Sequence, residues 1–130
     1  MKTFKDYCIS IQQQEILKQN YIESNYALIN ADRPEGDPDS LTFSYDINIL
    51  LEYLEYVKNE TQKKGISKTK IRISLGKYPQ QNFDSRLDPD FLNHQTLFFN
   101  AVEVEAEGKE KIIQDIDALD FADLCPPRCI

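Results

Sequence analysis

The chain has 130 residues, a formal net charge of −7 and 41% apolar residues, with seven Tyr and seven Phe. That length fits one domain over residues 1–130, and the apolar content suffices for a packed core, which excludes disorder of the whole chain. The acidic balance has the wrong sign for neutralising phosphate, so no nucleic-acid partner is expected. No apolar run approaches the roughly 20 residues of a membrane-spanning helix.

Behind Lys2 and Lys5 come Gln12, Gln13 and Gln14, where an export signal would need an apolar run. The expected compartment is therefore the cytoplasm, in which cysteines are mostly reduced. Ser10 with Gln13 three residues later has the form of a capping box. It opens a helix from about Ser10 to Ser24, with Ile16, Leu17 and Tyr21 on one side. Asn30 to Ser40 is rich in turn formers and reads as a loop, and Leu41 to Phe43 as a short strand.

The second helix carries the plainest signal. Ser44 or Asp46 caps it, Ile47, Leu50, Leu51, Leu54 and Val57 repeat at helical spacing, and Gly65 ends it. At about 100° per residue, Ile49, Tyr53 and Tyr56 form a second apolar side. That side is covered either from within the chain or by a second subunit, so these three residues are the candidate homodimer interface. The cations Lys63, Lys64, Lys68, Lys70 and Arg72 that follow read as a helix end and a strand edge.

Lys70 to Leu75 alternates as a strand with one wet face, a pattern of antiparallel sheets. Thr96 to Glu105 fits a second strand, with a bulge near Asn100 or cover on both faces at its start to reconcile its apolar pattern. Ile112, Ile113, Ile116 and Leu119 fit a short helix or an irregular segment after a turn at Gly108. Pro126 and Pro127 forbid regular helix at the end of the chain. The expected fold class is α+β, two helices of the N-terminal half packed on a small, mainly antiparallel sheet.

Long connections without secondary structure tend to carry function, and residues 76–95 form one. As a pocket rim this loop supplies Asp84, Asp88, Asp90 and His94 as acid/base or metal-ligating candidates. Arg86 and Tyr78 are its ligand-binding candidates. As plain structure it is a solvated loop anchored by Phe83, Leu87, Phe91 and Leu92. Position six from Asp84 is Pro89, where a calcium loop needs glycine. His94 is the sole histidine.

Cys125 and Cys129 stand at a spacing that zinc permits, and Cys8 with His94 would have to complete the site. A disulfide or free thiols are the alternatives. No phosphate-cradling loop, nucleophile elbow or cofactor motif is present in the sequence, so no cofactor is expected.

The run Ile71-Arg-Ile-Ser-Leu-Gly-Lys-Tyr78, then Thr96-Leu-Phe-Phe99 and the ending Leu124-Cys-Pro-Pro-Arg-Cys129, resembles a group of small uncharacterised bacterial proteins. The resemblance covers the second half of the chain and implies a recurring layout of two strands, a long loop and a Cys-Pro-Pro tail. No activity comes with it. The functional expectation is a small, non-catalytic cytoplasmic binding or interaction protein. The alternatives are a metal-dependent or acid/base enzyme built on the 76–95 loop and a structural-zinc module.

Overall fold

The computed structural model describes residues 2–129. Its backbone groups into two compact units, Met1–Asp39 and Ser40–Ile130.

The first unit is helical. A 3₁₀ turn at Phe4–Tyr7 precedes α1 (Ile11–Tyr21), which a π turn at Ile22–Tyr26 joins to α2 (Ala27–Ala31). The capping box forms: Gln13 N–H donates to the Ser10 hydroxyl at 3.1 Å, and Ser10 N–H donates to the Gln13 side chain at 2.8 Å. Two orphan amides are thereby satisfied, which fixes where α1 starts. The helical path runs on beyond Ser24 to Ala31. Arg33 then closes the turn by donating Nε–H to the Asp37 carbonyl at 2.8 Å and pairing with Asp39 at 3.7 Å.

The second unit has α+β architecture. In chain order it comprises β1 (Thr42–Ser44), α3 (Ile47–Lys63), β2 (Thr69–Lys77), β3 (Gln95–Val104), β4 (Glu110–Ile112) and β5 (Asp123–Cys125). A three-stranded sheet has the order β2-β3-β4, and β1 pairs with β5 in a two-stranded one, every pairing being antiparallel. Asp46 caps α3 by accepting the amides of Asn48 and Ile49 at 2.8 and 3.3 Å. Gly65, at φ 71°, ends the helix in the left-handed conformation that a side chain disfavours.

Two features depart from the expectation. The face that α3 buries carries Tyr53, Val57 and Thr61, while Ile47 and Leu51 are exposed. The true core stripe is thus rotated by part of a turn towards Tyr53. Leu-rich spacing alone overlooked this, because Tyr53 buries its ring and still satisfies its hydroxyl. That hydroxyl donates towards the carbonyls of Asp117 at 2.8 Å and Phe99 at 3.2 Å. Nor is there a bulge in β3, since its ladder with β2 is continuous from Thr69 opposite Glu103 to Lys77 opposite Gln95. Of the two explanations for its apolar pattern, cover on both faces is the one that applies. At its start Thr96 is buried and Leu97, Phe98 and Phe99, which alternate between the faces, are all half-buried.

Two apolar clusters hold the unit. Tyr53 and Val57 of α3 meet Ala101, Ile113 and Ile116, with Ile71, Phe99 and Leu119 around them. The isoleucines after Gly108 reach this cluster through an irregular segment after β4, pinned by mutual backbone bonds between Phe99 and Leu119 at 2.9 and 3.0 Å. Tyr78, Leu87, Phe91, Ala122 and Leu124 form the second cluster, which ties the 76–95 loop to β5.

Candidate functional site

The loop between β2 and β3 is ordered by its own polar residues. Asp84 accepts the Arg86 amide at 2.9 Å, and its carbonyl accepts the Leu87 amide at 3.1 Å. Asp88 caps the 3₁₀ turn Pro89–Phe91 by accepting the Asp90 amide at 2.9 Å. Asn82 and Asn93 take left-handed φ angles of 57° and 64°, which asparagine tolerates better than most residues. These turns press Leu87 and Phe91 inward against Ala122 and Leu124.

Against the loop lies the C-terminal disulfide ring, which follows β5 and contacts the loop through Arg128. Cys125 and Cys129 are joined by a disulfide with their Cα atoms 4.7 Å apart, and the prolines between them follow cis peptide bonds. Arg128 donates its amide to the Leu124 carbonyl at 2.7 Å, which closes the ring on β5. Its guanidinium reaches back to the loop, bonding Asp88 through Nε at 2.7 Å and Asp90 through Nη2 at 3.2 Å.

Between these parts a cleft of about 840 Å³ opens. The loop contributes Arg86, Leu87, Asp88 and Phe91, β1 contributes Thr42 and Ser44, and the C-terminal segment contributes Phe121, Asp123, Arg128 and the disulfide. Arg86 lies over the Phe121 ring, its guanidinium carbon 4.5 Å from the centroid, while Nε and Nη2 engage Asp84. Phe121 has φ 65°, a strained conformation for a bulky residue, and keeps its ring in the cleft wall while the adjacent Ala122 is buried.

The electrostatics are those of matched charges. The Arg86 guanidinium hydrogen-bonded to Asp84 holds that carboxyl at about 2, below the usual carboxylate range. Asp88 is lowered as well, first by the Asp90 amide and then by Arg128. Both arginines spend Nε and Nη2 on these acids. Among the described residues the Nη1 group of neither arginine makes a hydrogen bond or ion pair. A guanidinium has five donors, so each retains capacity for a further acceptor.

Of the residues proposed from sequence, Arg86 and Asp88 line the cleft. Asp84 and Asp90 serve as ion-pair partners just behind it. His94 is buried, its Nδ1 3.1 Å from the Leu92 carbonyl, and it is not in the cleft lining. The four acid/base candidates therefore do not converge on one point. Tyr78 is also interior: its hydroxyl donates to Asp120 at 2.9 Å, and burial pushes the phenol up to about 12.

Among the described residues no group of three or more His, Cys, Asp or Glu is placed to hold a metal ion. Cys125 and Cys129 are bonded to each other, so in this form neither is a thiolate ligand. Cys8 belongs to the first unit, where it is exposed. Of the candidate interface residues, Tyr53 is in the core, whereas Ile49 and Tyr56 are exposed. The apolar side drawn from their spacing is thus broken by the burial of its middle member.

Sequence reasoning overlooked Thr42, Ser44, Phe121, Asp123 and Arg128. Only Arg128 had a signal, its place inside the Cys-Pro-Pro-Arg-Cys ring. The others enter the wall because β1 pairs with β5, and no local pattern in either three-residue strand announces that pairing. No family model, curated protein or solved structure matches the chain. No helix of the described residues is long and apolar enough to cross a membrane.

Proposed function

We propose that the protein is a small, non-catalytic binding protein whose site is the cleft between the 76–95 loop and the C-terminal disulfide ring. The ligand class is a carboxylate carrying an aromatic or aliphatic body. The observation that carries this reading is the wall itself, where the Arg86 guanidinium lies over the exposed Phe121 ring and the Arg128 guanidinium also lines the cleft, each with a spare donor group. Guanidinium and carboxylate match as bidentate partners, and a stacked arginine is presented in a fixed plane. An apolar body gains by covering the exposed Phe121 ring, which is how most small-ligand sites divide their work.

The compartment bears on the state of the site. The cytoplasm, inferred from the sequence, keeps cysteines as thiols, and an oxidising compartment keeps the bond. The binding-competent form in this proposal is the bonded one, because the ring is what carries Arg128 to the loop. Alkylation and mass spectrometry of protein taken directly from cells reads which form is present.

The test is a ligand-observed NMR screen of aromatic and aliphatic carboxylates, followed by two-dimensional spectra of the protein. Binding should shift the resonances of Arg86, Phe121 and Arg128, and Arg128→Ala should abolish it. Carboxylates that bind with equal affinity to wild type, Arg86→Ala and Arg128→Ala would remove the cleft from consideration.

A further inference from the structure

Strand β2 lies at the edge of its sheet, with β3 on one side only. Which of its backbone groups face outward follows from the bonds at its two ends. Lys68 accepts the Val104 amide at 2.9 Å, and Tyr78 donates its amide to His94 at 3.0 Å. Even-numbered residues therefore turn their N–H and C=O towards β3, and Ile71, Ile73 and Leu75 turn theirs outward. The neighbouring strand agrees: Phe99, opposite Ile73, exchanges both backbone bonds with Leu119 on its far side.

The outward residues also carry an apolar row. Their side chains share one face of the strand; Ile71 packs on the core, while Ile73 and Leu75 are 60% and 72% exposed. A groove of about 250 Å³ separates Ile71 from Leu54, Val57 and Lys58 of α3. The arc of α3 that borders this groove continues to Ile47 and Leu51, both exposed. Open edges are usually guarded by charged side chains. Here Lys70 and Arg72 are drawn across the sheet to Glu110 of β4, at 3.4 and 3.3 Å, and so lean away from the edge.

The sequence of β2 is complementary to itself. Laid antiparallel on a second copy and centred on Ile73, Thr-Lys-Ile-Arg-Ile-Ser-Leu-Gly-Lys sets Ile71 against Leu75 and Lys70 against Gly76. Arg72 meets Ser74, and Lys77 meets Thr69. No like charges oppose one another, and every outward N–H finds an outward C=O. Centring on Arg72 would oppose that residue with itself, and centring on Ser74 would set Ile71 against Lys77. Of these three registers the pattern favours the one centred on Ile73.

We propose that two copies of the chain associate through their β2 edges in an isologous antiparallel pair centred on Ile73, joining two three-stranded sheets into one of six strands. A two-fold axis through Ile73 makes this contact closed, so it ends at the dimer rather than growing into a fibre. The apolar rows of Ile71, Ile73 and Leu75 become continuous across the axis, flanked by Ile47 and Leu51 of each copy. The surface is separate from the carboxylate cleft and is independent of that reading.

Light scattering over a range of concentrations tests it, together with amide exchange read residue by residue. The full chain should show twice its single-chain mass, with slow exchange at Ile71, Ile73 and Leu75 that becomes fast on dilution. Ile73→Pro removes an N–H that β3 does not use, and edge positions tolerate proline, so this variant should lose the doubled mass. Leu75→Lys, at a side chain already in solvent, should lose it too and serves if the proline variant fails to fold. A single-chain mass at every concentration would overturn the proposal. So would a doubled mass that both variants retain with fast-exchanging Ile71, Ile73 and Leu75 amides.

Discussion

Arg128 donates Nε–H to Asp88 at 2.7 Å, and that bond latches the C-terminal disulfide ring onto the carboxylate that caps the loop's 3₁₀ turn. A carboxylate already accepting a backbone amide is a fixed acceptor, so the arginine it receives is held in one place. Two segments separated by 40 residues thereby share one wall of the cleft.

Cutting the ring should loosen that wall. The disulfide closes a short loop, with its cysteines four residues apart, for which loop entropy gives a stabilisation of about 2 kcal/mol. Replacing both Cys125 and Cys129 by Ser should lower stability by that order in urea titrations. Arg128→Ala breaks partly exposed ion pairs and should cost less than about 1 kcal/mol. Both changes should speed amide exchange at Asp90 and Phe91. Unchanged exchange in the double serine variant would show that the ring does not hold the loop.

The phase of α3 yields a second expectation. Val57 is 3% exposed and Leu51 55%. Val57→Ala removes two buried methyl groups and leaves a void, costing about 2 kcal/mol, whereas Leu51→Ala should stay within about 0.5 kcal/mol. Chemical denaturation of the two variants decides between the face seen here and the Leu-rich face that spacing suggests. The reverse order of costs would mean that α3 is rotated.

Much of the fold is readable from the chain, for local reasons. Ser10 with Gln13, Asp46 ahead of Ile47 and Gly65 behind Lys64 mark helix ends through chemistry confined to a few residues. The alternation of Ile71, Ile73 and Leu75 marks a strand in the same way. The site was legible only in part. Arg86 and Asp88 could be singled out because they sit in a long polar loop, but Phe121 and Arg128 reach the cleft through the pairing of β1 with β5. Two three-residue strands at opposite ends of the unit carry no periodicity long enough to reveal it. The phase of α3 was misread because tyrosine counts weakly as an apolar residue until its hydroxyl finds partners, as Tyr53 does on Phe99 and Asp117.

Acid should release the Asp84–Arg86 pair late. The folded-state carboxyl titrates at about 2, below the ordinary carboxylate value, with hydrogen bonding from Arg86 as the main cause. A depressed pKa means the bond contributes fully above the unfolded carboxylate range and is lost as pH falls through the folded value. Carboxyl-carbon NMR should therefore show Asp84 titrating near 2, and Arg86→Ala should return it towards the ordinary range. An Asp84 midpoint that does not move in the variant would show that the pair is not formed in solution.

Tyr78 contributes to the alkaline limb, together with Tyr45 and Tyr53, whose phenols burial also pushes up. Burial first, and the Asp120 carboxylate beside it, raise the Tyr78 phenol to about 12, above the ordinary tyrosine value. The folded protein therefore holds a proton that the unfolded chain gives up sooner. Stability from this group is whole below the unfolded value and declines as pH rises from there through the folded one. Tyr78→Phe removes the donor to Asp120 and leaves that carboxylate with the Thr96 hydroxyl, 3.2 Å from Oδ1. Losing a charge-assisted bond in a part-buried setting should cost about 1–3 kcal/mol at neutral pH. The same variant should show a flatter fall in stability between pH 10 and 12, because one of the titrating groups is gone while Tyr45 and Tyr53 remain. Since Tyr78 shares its cluster with Leu87 and Phe91, the loss should also be felt in the cleft wall, as faster exchange of their amides. A variant with wild-type stability at neutral pH and an unaltered alkaline slope would mean that the Tyr78–Asp120 bond contributes nothing to the folded state.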